Sequence, residues 1–115
     1  MPVIKVWCLP SMTEKQLQKL HKDIVGAVVS VEELGLKGED DMTCLFPSDM
    51  MSYGLGSEII IEVTGLFEKP ERTYEVRNLL ALFLGGAIAK RFPRARIECF
   101  IYPFNPKQGF WSSSS

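Results

Sequence analysis

The feature that most restricts this chain is a repeated order of segments: a β-branched run, a long helical pattern and another β-prone run, twice in 115 residues. Pro2 to Cys8 (PVIKVWC) opens the first set and is bounded by Leu9-Pro10-Ser11. Thr13, with Gln16 three residues on, carries the capping-box signature that starts a helix. Leu17, Leu20, Ile24, Ala27, Val28, Val31 and Leu34 then recur at helical spacing, with Lys15, Lys19, Lys22 and Glu33 on the wet side. That stripe predicts one helix ended by Gly35 and Gly38, followed by a strand over Asp41 to Phe46.

The second set repeats the logic. Glu58 to Phe67 (EIIIEVTGLF) is strongly β-prone, and Pro70 with Glu71 predicts the first turn of a helix. Val76, Leu79, Leu80, Phe83, Leu84, Ala87, Ile88 and Phe92 form its apolar stripe, Pro93 stops it, and Arg96 to Tyr102 is the last strand. Gly85 and Gly86 inside this helix each cost about 1 kcal/mol relative to Ala, which predicts a close approach of helix to sheet. Long strand–helix–strand units join parallel strands by right-handed crossovers. The fold expected is therefore α/β: two βαβ units forming one four-stranded mixed sheet with two helices on one face. The length fits a single domain over residues 1–115, with the Ser112–Ser115 tract disordered.

Two helices leave the other side of the sheet uncovered. By alternation, Ile60, Glu62 and Thr64 share that side with Glu98, Phe100 and Tyr102. An exposed apolar patch of about 500 Å² would release on the order of 12 kcal/mol gross on burial. Patches of that size mark interfaces, and closed symmetric assembly is the economical way to cover one. A homo-oligomer is expected. The turn-rich segment Pro47 to Ser57 carries Met50, Met51, Tyr53 and Leu55, so it packs either on a neighbouring subunit or on the domain's own core.

Charge narrows the partners. A net charge of −1 leaves no basic footprint for nucleic acid or anionic lipid. An RNA-recognition sheet has the same element order but needs aromatics on its central strands; SEIIIEV has none and carries two glutamates. Cys8, Cys44 and Cys99 are odd in number and far apart, and read as reduced, buried thiols. His21 is the one histidine, so no metal site and no cofactor is expected. No run reaches membrane-spanning length and no signal peptide is visible, which makes the cytoplasm the default location.

Four places carry a family likeness. Met1-Pro2 precedes an apolar strand, and the linker reads Pro47-Ser48-Asp49-Met50-Met51-Ser52-Tyr53-Gly54. Arg72-Thr73-Tyr74 stands at the second helix, and Tyr102, Asn105 and Trp111 stand near the end. On these the chain resembles, over nearly its whole length, the tautomerase superfamily in its migration-inhibitory-factor and carboxymethyl-hydroxymuconate-isomerase branches. The resemblance implies a homotrimer with helices outside and a small-molecule ligand. It also implies proton transfer by an N-terminal proline on small enolisable compounds, 2-oxo acids or dienols. Pro2 is then the catalytic residue once Met1 is removed, while Glu98, Phe100, Tyr102 and Asn105 fall at binding positions.

A free α-amino group has a pKa of about 8; an apolar pocket or a nearby cation lowers it toward a usable general base. If Met1 stays, the Pro2 nitrogen is an amide without a basic lone pair. The alternative implied is a non-catalytic trimer of the same fold that binds a ligand or serves a structural role. Glu98 and Phe100 replace the hydroxyl and amide of the family pocket, and Lys37 is the nearest candidate for a lysine expected after the first helix. Glu98 reads either as an acid made stronger in its proton affinity by burial or as an ion-pair partner of Arg72 or Arg77.

Overall fold

The computed structural model describes residues 1–47 and 57–113. Its elements run β1 (Val3–Trp7), α1 (Glu14–Val29), β2 (Thr43–Leu45), β3 (Glu58–Phe67), α2 (Tyr74–Arg91) and β4 (Arg96–Phe104). The sheet order is β2-β1-β3-β4. Strands β1 and β2 are parallel, as are β3 and β4, and the two units join through the antiparallel β1–β3 pair. Two helices and a four-stranded mixed sheet are the architecture that the repeated pattern requires.

Side-chain alternation decides which way each strand faces. Ile4 and Val6 from β1 and Ile59, Ile61 and Val63 from β3 are buried, as are Leu20, Ile24 and Val28 of α1 and Val76, Leu80, Leu84 and Ile88 of α2. The helical residues repeat every four positions, so each helix presents one stripe to the sheet. Burying each such side chain is worth about 1.5–3 kcal/mol. A one-residue slip of β1 would turn Ile4 and Val6 out and bring Lys5 in, so its register is firmly set.

Four expectations need correction. Helix α1 ends at Val29: Ser30 caps it, its amide and hydroxyl both on the Gly26 carbonyl, and the backbone leaves helical geometry at Val31, with φ −88° and ψ 89°. Val31 and Leu34 are buried beyond the helix, and Glu32–Leu34 forms a short 3₁₀ turn closed by Gly35 in the left-handed region at φ 70°. A second such turn, Glu39–Asp41, takes the start of the expected strand and shortens β2. Helix α2 begins at Tyr74 rather than Pro70, since the Thr73 hydroxyl accepts the Val76 amide at 3.3 Å; Pro70 sits in the preceding turn, closed by the Arg72 amide on the Lys69 carbonyl. Gly85 and Gly86 make no close approach, as a Cβ at either would meet nothing within 4 Å. Gly86 instead lines an open groove between α1 and α2, together with Gly26 and Ser30.

The linker Ser48 to Gly56, with the packing expected for its methionines and Tyr53, lies outside the described residues, as do Ser114 and Ser115. Ser112 and Ser113 are exposed. Among the described residues no helix is long and apolar enough to cross a membrane.

Candidate active site

Pro2 stands at the point where the two βαβ units meet. Its carbonyl accepts the Thr43 amide at 3.0 Å, which extends the parallel β1–β2 pairing back to the chain start. On its other side, β3 departs from regular pairing between Val63 and Leu66, and Gly65 takes φ 70° within that irregularity. The β1–β3 pairing stops at Val3 and Thr64, and the buried Pro2 lines a small opening beyond it.

That opening is a cleft of about 250 Å³ lined by Met1, Pro2, Gly35, Leu36, Asp41, Gly65, Phe67, Lys69 and Arg72. Its walls come from three connections: the pair of 3₁₀ turns after α1, the end of β3, and the turn before α2. Arg72 is 6% exposed. It donates from Nη1 to the Phe67 carbonyl at 2.9 Å and from Nη2 to the Leu34 carbonyl at 2.6 Å. One guanidinium therefore ties two of the three walls together. Its Nε is buried without a partner, and burial pulls the group below its ordinary pKa while Glu71 pulls it back up. The carboxylate of Asp41 accepts the Lys37 amide at 2.8 Å, which fixes the second 3₁₀ turn beside the cleft. Lys69 supplies a second cation.

The sequence singled out Pro2 and Arg72 but missed Asp41, Lys69 and Gly65. No local signal marked them: they lie in separate stretches of chain that only the sheet order brings together. Lys37 is exposed and contributes its backbone rather than its ammonium group. Thr43 Oγ1 donates to Met1 Sδ at 3.4 Å, holding the 65%-exposed Met1 over the rim.

The four expected binding residues lie elsewhere within the chain. Glu98 pairs across β3 with Ile60, at the end of the sheet where Trp7 lies and away from Pro2. Its ionic partner is Arg96 at 3.9 Å, not Arg72 or Arg77; Arg77 instead donates to the Arg72 carbonyl. Phe100 sits beside Glu62 in mid-sheet, and Tyr102 is stacked on it with centroids 6.4 Å apart. Asn105 caps a turn of the tail, its side-chain oxygen accepting the Lys107 amide at 3.0 Å. None of the four lines the Pro2 cleft of its own chain.

The uncovered face of the sheet carries Trp7, Ile60, Phe100 and Tyr102 among Lys5, Glu62 and Glu98, and Trp7 Nε1 donates to Glu62 at 2.6 Å. Phe100 and Tyr102 remain 43% and 46% exposed. Among the described residues no group of three or more His, Cys, Asp or Glu side chains is placed to hold a metal ion. Burial pushes the Cys44 thiol up to about 11 and the Cys99 thiol up to about 12, so both are protonated and poorly nucleophilic at neutral pH.

The fold of the chain has known counterparts. The chain superposes on macrophage migration inhibitory factor of Toxoplasma gondii with a TM-score of 0.69 at 19% identity, covering 98% of this chain and 97% of that one. It matches a fused 4-OT, described as a symmetric trimer, with a TM-score of 0.70 at 15% identity over 96% and 92% of the two chains. The fold is the tautomerase fold. A malonate semialdehyde decarboxylase is also similar, with a TM-score of 0.63 at 15% identity over 98% and 92%. No family model and no curated protein sequence matches the chain.

Proposed function

We propose that the chain, freed of Met1, is a tautomerase-like enzyme in which the Pro2 amine moves a proton between the carbon and oxygen ends of a small enolisable acid. The observation that carries this reading is Pro2 at the floor of a cleft that also holds Lys69, Arg72 and Asp41. Two cations beside the amine disfavour its protonated form and push its pKa toward neutrality, where it serves as a general base. The same cations attract a carboxylate. Asp41 stands in the same cleft, with one carboxylate oxygen accepting the Lys37 amide.

The oligomer completes the reading. The apolar residues of the open sheet face need cover, and a neighbouring copy would bring its own Phe100, Tyr102 and Asn105 toward the rim of a cleft that lacks them. Three copies closed around an axis satisfy both needs. A second reading, a ligand-binding trimer without catalysis, is favoured by Glu98 and Phe100: neither supplies the neutral hydrogen-bond donor that would stabilise an enolate oxygen.

The test is the ketonisation of phenylenolpyruvate by protein whose intact mass shows Met1 removed. The expected result is a rate that falls by roughly a hundred-fold or more in Pro2→Ala, the scale of a lost acid–base group. A rate that is unchanged in Pro2→Ala refutes the proline mechanism, and no rate in the processed protein favours the binding reading.

A further inference from the structure

The peptide bond that joins Met1 to Pro2 lies against the sheet, although the Met1 side chain does not. Met1 is 65% exposed, with its sulfur held by the Thr43 hydroxyl at 3.4 Å. Its carbonyl oxygen packs beside the backbone of β3: a Cβ built on Gly65 would stand 3.3 Å from it. Pro2 is buried, and its carbonyl accepts the Thr43 amide at 3.0 Å. Val3 then pairs with Thr43 on one side and Thr64 on the other, and Ile4, 1% exposed, pairs with Cys44 and Val63. Strand β1 is interior to the sheet, so neither of its edges is free.

Removal of Met1 is a hydrolysis. Water adds its oxygen to the Met1 carbonyl carbon, the C–N bond breaks, and the Pro2 nitrogen takes a proton to become a secondary amine, with free methionine released. A methionine aminopeptidase must bring that carbonyl to its own catalytic centre and draw the following residues into its groove. In the folded chain those residues are a buried proline and the paired Val3 and Ile4. We propose that the Met1–Pro2 bond is open to a methionine aminopeptidase only before β1 enters the sheet, so that folding fixes which protomers carry a free Pro2 amine. A chain that folds with Met1 in place keeps it, and its Pro2 nitrogen stays an amide. The consequence for activity rests on Pro2 being the reacting amine: the active fraction is then set during synthesis and does not rise once the protein has folded.

The test compares the same bond inside and outside the sheet. Full-length protein, translated with aminopeptidases inhibited, is purified in its folded form, and its intact mass shows Met1 present. It is incubated with purified methionine aminopeptidase beside a peptide of residues 1–8, MPVIKVWC, which has no sheet to protect it. A third substrate is full-length protein with a Met-Pro-Gly-Ser-Gly leader placed before Met1, so that a Met–Pro bond stands clear of β1. Mass spectrometry follows loss of the first methionine from each. Cleavage of a bond that is reached only through local opening tracks the population of the open form.

The expected result is trimming of the folded chain roughly a hundred-fold slower than that of the peptide, and in any case more than about ten-fold slower, because opening must expose Ile4 and break the pairing on both sides of β1. The leader protein is expected to lose its first methionine within about three-fold of the peptide rate, since its bond needs no opening. A folded chain trimmed within about ten-fold of the peptide overturns the inference. So does a leader that resists trimming, because the block would then come from the bulk of the protein and not from the place of the bond. The readout is a mass and requires no turnover. Failure here leaves the Pro2 mechanism standing, and an inactive processed protein leaves the protection of the bond standing, so the two are distinguishable.

Discussion

Replacing Arg72 by methionine tests how the cleft is held together. Arg72 bridges the Leu34 and Phe67 carbonyls, which belong to connections 33 residues apart in sequence, and it does so from a position 6% exposed. A hydrogen bond from a charged donor contributes about 1.5–3 kcal/mol, so the two together are worth about 3–6 kcal/mol gross. Against this stand the desolvated charge and the unpartnered Nε, whose cost of about 1–3 kcal/mol disappears with the side chain. Methionine refills most of the aliphatic volume, leaving a net loss of about 2–3 kcal/mol.

Urea unfolding, monitored by circular dichroism at fixed protomer concentration, reads this directly. With a slope of about 1–3 kcal/mol per molar urea, the midpoint should fall by about 1–2 M. Arg72→Lys keeps the charge but loses the fork and should recover less than half of the loss, because one ammonium group is a poor substitute for a planar two-nitrogen clamp. A midpoint for Arg72→Met within about 0.2 M of the parent, or above it, would refute the reasoning: the bridge would then contribute no more than its burial costs.

Alkaline pH should weaken the fold. Cys44 and Cys99 titrate near 9.0 when unfolded but near 11 and 12 in place, so above pH 9 the unfolded chain binds fewer protons than the native one. Stability is full below that pH and declines as it rises from about 9 to 12, and urea midpoints in Cys44→Ala should show a shallower decline. Thr13→Ala removes the bond that the Thr13 hydroxyl accepts from the Gln16 amide at 3.2 Å, while the Thr13 amide keeps the Gln16 side chain at 2.8 Å, and should cost about 1 kcal/mol in the same assay. Phe100→Asp places a charge on the open sheet face and should shift sedimentation from oligomer to monomer at micromolar concentration; a parent that is itself monomeric contradicts the assembly proposed here.

The sheet and both helices were legible because their signals are periodic and local. Ile59, Ile61 and Val63 against Ile60, Glu62 and Thr64 show the alternation of a strand, and Leu80, Leu84 and Ile88 show the spacing of a helix. Boundaries were less legible. The apolar stripe runs on to Leu34 although the backbone leaves helical geometry at Val31, because a 3₁₀ turn keeps Leu34 in the core, and the Thr73 hydroxyl rather than Pro70 starts α2. The glycine pair in α2 misled for a different reason: a Cβ at either position would meet nothing within 4 Å, and Gly86 lines an open groove, so the missing side chains reflect no steric demand. Of the residues that line the candidate cleft, the sequence singled out as candidates Pro2 and, within the family likeness, Arg72. Asp41, Lys69 and Gly65 come from three connections and meet only through the sheet order, which no spacing along the chain displays.

The position of Pro2 makes the N-terminal nitrogen the decisive atom. Exchange of the C3 protons of a 2-oxo acid into deuterated water, followed by proton NMR, should be compared between protein beginning at Pro2 and protein extended by one residue before it. The extension leaves every other side chain of the cleft in place but turns the amine into an amide. Exchange catalysed by the processed form and abolished in the extended form is the expected result; equal exchange by both forms would contradict a proton carried by the Pro2 nitrogen.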